Sequence, residues 1–95
     1  MREYQKAFQT MLEQNKDLFD QFQLIHDQYV MNPEVNKARF NHLGSEVVDV
    51  IREAERKLCA QMGKGMYSKF TQNLSEKFWG EIRSKYPKID FVGVQ

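Results

Sequence analysis

One apolar line runs through the first thirty residues at alternating steps of four and three: Tyr4, Phe8, Met11, Asn15, Leu18, Phe22, Ile25 and Tyr29. Apolar positions in a strand recur every second residue, so this spacing demands a long helix with one buried face. Leu12, Phe19 and His26 lie beside the line and widen it. A two-stranded seam needs only a narrow stripe, and a wider face suits a helix lying in a groove between two others. The opposite surface carries Lys6, Glu13, Asp17, Asp20 and Asp27. The pattern predicts a helix over residues 3–31. It dictates packing and no chemistry.

Asn32-Pro33-Glu34 is the clearest punctuation. Asn offers an oxygen to a free backbone N–H as an N-cap. Pro fits the first helical position, where no N–H is needed. Glu sits well at the positive end of the helix dipole. A second helix therefore starts at Pro33 and runs antiparallel to the first after a tight link. Its stripe is Phe40, Leu43, Val47, Ile51, Ala54, Leu58 and Met62, which predicts a helix over 33–62. Gly44-Ser45 interrupts good helix formers, and a glycine there costs about 1 kcal/mol against alanine. The expectation is a continuous or mildly bent helix, with Gly44 marking a kink or a close contact.

Gly63-Lys64-Gly65 reads as a loop and Ser68 as the cap of a third helix over 68–86, with stripe Phe70, Leu74, Phe78 and Ile82. Pro87 stops it. The tail 87–95 contains Ile89, Phe91, Val92 and Val94 and is too apolar to float. It is expected to be extended, packed over the helices or on a partner. The fold class is all-α: one domain, an antiparallel three-helix bundle with two long helices, a shorter third and this apolar tail.

Composition narrows the function classes. A 95-residue chain with 41% hydrophobic and 13% aromatic residues can bury a core without staples. No apolar run approaches the roughly 18–20 residues that span a bilayer. The first residues lack the apolar core of a signal peptide. The single Cys59 forms no internal disulfide, which makes a cytoplasmic setting the expectation. Net charge is +1, so bulk charge selects no partner. Residues 1–47 hold five Lys/Arg against seven Asp/Glu, and residues 48–95 hold nine against six, a mild dipole from −2 to +3.

Chemistry is harder to place. With helices antiparallel about residue 32, Cys59 and His42 lie about 25 Å apart along one helix at 1.5 Å per residue. They form no zinc site and no Cys–His nucleophile pair within one chain. His26 with His42 is a weak two-histidine arrangement, better read as edge residues. The loop from Gly63 to Lys69 has glycines before a helix start, as phosphate sites do. It lacks the P-loop spacing and a preceding strand. No catalytic residue, metal or cofactor is expected, and the chain is read as no enzyme.

Two function classes follow. The first is a protein-interaction or assembly module, with a protein partner or a second copy as ligand. A 29-residue first helix would reach about 43 Å and overhang the third, leaving Tyr4 and Phe8 to be covered. Tyr4, Phe8, Phe91, Val92 and Val94 are the candidate contact residues. The alternative is a nucleic-acid module using Lys64, Lys69, Lys77, Arg83 and Lys88 on a basic third helix, with affinity that falls steeply with salt. Asn15 has three open fates: a bond to the Trp79 indole, pairing with another Asn15 across a dimer, or solvent. Gly80, beside Trp79, leaves a flat spot.

Overall fold

The computed structural model describes residues 2–63 and 68–93, with the backbone alone at 61–63 and 68–72. The described residues are all-helical and contain no strand. Four α-helices follow one another: α1 (Glu3–Gln14), α2 (Lys16–Met31), α3 (Pro33–Gly63) and α4 (Ser68–Lys85), before a 3-10 turn at Ile89–Phe91. The 31 residues of α3 amount to about 46 Å of helix, the length of the molecule's 45 Å long axis. The other three helices pack on it, and α1 also meets α4.

The single first helix expected over 3–31 is two helices, broken at Asn15. Its side-chain Nδ2 and its backbone N–H both donate to the Met11 carbonyl, at 3.0 and 3.1 Å. The backbone bond is the ordinary helical one, while the side-chain amide adds a second donor to the same carbonyl, the local competition that makes asparagine unfavourable inside helices. The backbone leaves the helical region there, at φ −127° and ψ 37°. The break turns α1 onto α3 and α4. The overhang expected for Tyr4 and Phe8 therefore does not occur; both are half-buried against the core. Asn15 takes none of its expected partners within the chain, and the Trp79 indole donates instead to Glu55 Oε2 at 3.0 Å.

The turn between α2 and α3 is built as its sequence dictates. Asn32 Oδ1 accepts the Val35 N–H at 3.4 Å, and Pro33 opens α3. The buried Asn36 braces the corner. Its Nδ2 donates to the Gln28 and Asn32 carbonyls at 3.0 and 3.1 Å, and its Oδ1 accepts from Arg39. Pairing then follows the antiparallel register expected about residue 32: Phe40 meets Tyr29, His26 and Phe22. Between α3 and α4 the register is displaced. Trp79 meets Glu55 and Cys59 Sγ lies 3.4 Å from Ser75 Oγ. Pairing is thus centred near residue 67, the last before α4, and not within the Gly63-Lys64-Gly65 loop read from the sequence.

Phe22 is the hub of the core. Its ring centroid lies 5.6 Å from Phe40 and 5.0 Å from Tyr86, the latter edge-on. Edge-on and offset rings are the favoured aromatic contacts. Val47, Ile51, Phe78 and Ile82 extend the same core along α3 and α4, all fully buried. The stripes of the sequence are this core, with Asn36 taking the next position up from Phe40. Gly44 lies within a continuous α3, as expected.

Candidate interaction surfaces

The C-terminal segment is a strap across α2 and α3, and it is a turn rather than the extended tail that the alternation suggested. Pro87 ends the helical run, and the 3-10 turn puts Ile89 inward, 2% exposed. Four contacts hold the strap. The Lys88 N–H donates to His26 Nε2 at 3.2 Å, which leaves Nδ1 to carry the ring hydrogen toward Asp27 Oδ1, 3.4 Å away. The Gly93 N–H donates to Asn41 Oδ1 at 2.9 Å, and its φ of +84° is one that glycine adopts freely. Arg83 grips Asp90 with two bonds, at 2.9 and 3.3 Å. Val92 seats on Gly44, where a Cβ would lie 2.6 and 3.0 Å from its two methyl carbons.

Tyr86 closes the floor beneath the strap. It is fully buried, and its hydroxyl donates to the Phe19 carbonyl at 3.4 Å. Burial pushes the phenol pKa up, and the Asp20 and Asp27 carboxylates push the same way. In an unfolded chain the phenol ionises near pH ~10. The folded chain holds its proton to higher pH, so this contribution is intact below that value and is lost as pH rises above it. Urea unfolding at about pH 8 and about pH 11 should show an alkaline loss of stability that Tyr86→Phe reduces. At neutral pH the same variant should cost only about 1 kcal/mol, the ordinary worth of one hydrogen bond.

The candidate contact residues are therefore placed as follows. Val92 is half-buried on Gly44, while Phe91 is 44% exposed with the Lys88 ammonium 5.0 Å from its ring centre. Tyr4 and Phe8 line the core's edge at the other end. Val94 lies outside the described residues. Of the basic set, Lys77 is exposed, Arg83 binds Asp90 and lies 5.7 Å from the Trp79 ring, and Lys88 belongs to the strap. Lys64 and the Lys69 side chain lie outside the described residues, as do most of the glycine loop and the cap expected at Ser68. A Cβ on the exposed Gly80 would meet nothing within 4 Å, so the flat spot is open. His26 is buried beneath the strap while His42 is exposed. Among the described residues no three His, Cys, Asp or Glu side chains gather as a metal site.

Two features escaped the sequence reading. A groove of about 770 Å³ runs between α1 and α3, floored by Ala7, Met11, Val50, Ala54 and Leu58 and edged by charged residues. It opens beside the Asn15 break, which the helical periodicity conceals. The second is a run of exposed apolar side chains on the second half of α2 and the first turn of α3. Four of the five large apolar side chains that stand exposed among the described residues lie there: Leu24, Val30, Met31 (87% exposed) and Val35 (72%). Its signal is present in the sequence: each of the four lies off the apolar stripe of its helix. Such side chains scattered singly need no explanation, but four of them between residues 24 and 35 invite one. The chain matches no protein-family model, no curated protein and no solved structure.

Proposed function

We propose that this chain is a non-enzymatic protein-interaction module. We read it as an antiparallel three-helix bundle whose first helix is the broken pair α1–α2. The observation that carries the reading is the set of exposed apolar side chains Leu24, Val30, Met31 and Val35 on the second half of α2 and the start of α3. Burying such side chains on a partner is worth roughly 1.5–3 kcal/mol each where burial is complete, and nothing in the fold requires them outside. The side chains with latent reactivity serve structure instead. His26 accepts a strap N–H, and Cys59 packs beside Ser75 between α3 and α4. Among the described residues no helix is long and apolar enough to cross a membrane.

Affinity capture from a cell lysate tests the reading, using the wild-type chain and a Met31→Ser/Val35→Ser variant. The variant should fold with a stability change within about 0.5 kcal/mol per site, as exposed substitutions do. It should lose a protein partner that the wild type and a Lys77→Ala control retain. Identical partner sets from all three proteins would remove the patch from the reading. Capture abolished by nuclease would move the assignment to the basic set Lys64, Lys69, Lys77, Arg83 and Lys88.

A further inference from the structure

We infer that the outward face of α2 receives a basic amphipathic helix, an inference that rests on the interaction-module reading and specifies its partner. Leu24 and Met31 are seven residues apart on α2. Seven residues return a helix to within about 20° of its starting direction, so the two side chains form one line pointing away from the core. Asp20 and Asp27 repeat at the same spacing along one flank of that line, and Asp17 continues the line one repeat earlier. The two flanking carboxylates are open to solvent, each 63% exposed at the side chain. Glu34 stands exposed across the corner and extends the acidic border.

Positive charge on this face is sparse. Lys16, the single Lys or Arg of α2, pairs with Asp20 at the end of the helix remote from Met31. Arg39 of α3 is exposed, and its guanidinium is engaged by Gln28 and Asn36. Lys37 is exposed on α3. The face is therefore an apolar line with an acidic flank. Its complement is a helix with large apolar side chains at i and i+7 and Lys or Arg beside them. Apolar contact would supply the affinity, and the carboxylates would set orientation and exclude acidic helices. A second copy of this chain fits poorly, since α4, the helix with the largest net positive charge, presents Asn73, Lys77 and the bare Gly80 outward, with no such apolar line among its described side chains.

The test uses the full chain and three synthetic model helices with the same leucines at i and i+7. They are flanked by lysine, by glutamine or by glutamate. Binding is read by fluorescence anisotropy and mapped by amide chemical shifts. The lysine-flanked helix should bind at least about tenfold more tightly than the glutamate-flanked one, the scale of two exposed ion pairs against two repulsions. Leu24→Ser/Met31→Ser should abolish binding of all three. Asp20→Asn/Asp27→Asn should erase most of the preference for lysine while leaving the glutamine-flanked helix bound. Shifts should centre on residues 20–31. Equal binding of the three helices, or equal binding of a scrambled peptide of the same charge, would overturn the inference and leave the interaction module standing. So would failure of every peptide together with dimerisation lost on Met31→Ser in sedimentation, because the occupant is then a second copy. Failure of every peptide with a strict monomer would count against both.

Discussion

Phe22→Ala should cost about 3–5 kcal/mol, the range for a fully buried phenylalanine. A domain of this size has roughly 5–15 kcal/mol in all, so the variant should be marginal or unfolded at ambient temperature. Phe22 is 0% exposed and joins four parts of the molecule. It lies on α2, packs on Phe40 of α3 and on Tyr86 after α4, and reaches the Gly44 notch that holds the strap. The cavity left by its removal is walled by rings from different elements, which cannot all collapse together. Urea unfolding followed by circular dichroism measures the loss. Leu24→Ala supplies the contrast from two residues along the same helix. Leu24 is 61% exposed, so its truncation should change stability by no more than about 0.5 kcal/mol. A cost below about 1 kcal/mol for Phe22→Ala would mean that the aromatic hub does not hold these elements together.

The contrast between Phe22 and Leu24 also shows what was legible in the sequence. Helical periodicity separates the two correctly, because facing inward is a property of spacing alone. The same is true of Phe40, Val47, Ile51, Phe78 and Ile82, all of which lie where the stripes put them. The Asn32-Pro33 start was legible because its chemistry is local. Asn15 was not. As a stripe member it continues the period, and the helix breaks where its side-chain amide takes the Met11 carbonyl as a second donor. The Trp79 partner, Glu55 rather than Asn15, was not legible because it depends on the register of α4 against α3, which no periodicity supplies. The strap escaped for a related reason. Its alternating apolar residues look extended, but their conformation is set by His26, Asn41 and Gly44, which lie 48–62 positions before their partners in the strap. The exposed Leu24, Val30, Met31 and Val35 lie off the stripes, and periodicity assigns a place only to the residues it buries.

Gly44 is where the strap can be tested against the helix beneath it, because one substitution should have opposite signs in two contexts. Within an exposed helix interior, Gly→Ala gains up to about 1 kcal/mol. In this chain the new methyl would lie 2.6 and 3.0 Å from the methyl carbons of Val92, and either Val92 or the strap must move. Overpacking of this kind costs about 1–3 kcal/mol, so Gly44→Ala should destabilise the full chain or at best leave it unchanged. Ending the chain after Pro87 removes the buried Ile89, the seated Val92 and the N–H bond to His26. That truncation should cost about 3–5 kcal/mol, from one full and one partial side-chain burial and one hydrogen bond. In the truncated chain the obstacle to the methyl is gone, and Gly44→Ala should stabilise by up to about 1 kcal/mol. The resulting coupling between site 44 and the strap should fall within the roughly 0.5–3 kcal/mol seen for contacting residues, measured as a four-protein urea cycle. Hydrogen exchange localises the effect independently. The Lys88 and Gly93 amides donate to His26 and Asn41, so Gly44→Ala in the full chain should accelerate their exchange while amides beside Phe78 and Ile82 keep theirs. Equal stabilisation in both contexts would show that Val92 does not rest on Gly44. The glycine would then be a helix weakness with no counterpart, and the strap would have to be held by Ile89 and its hydrogen bonds alone.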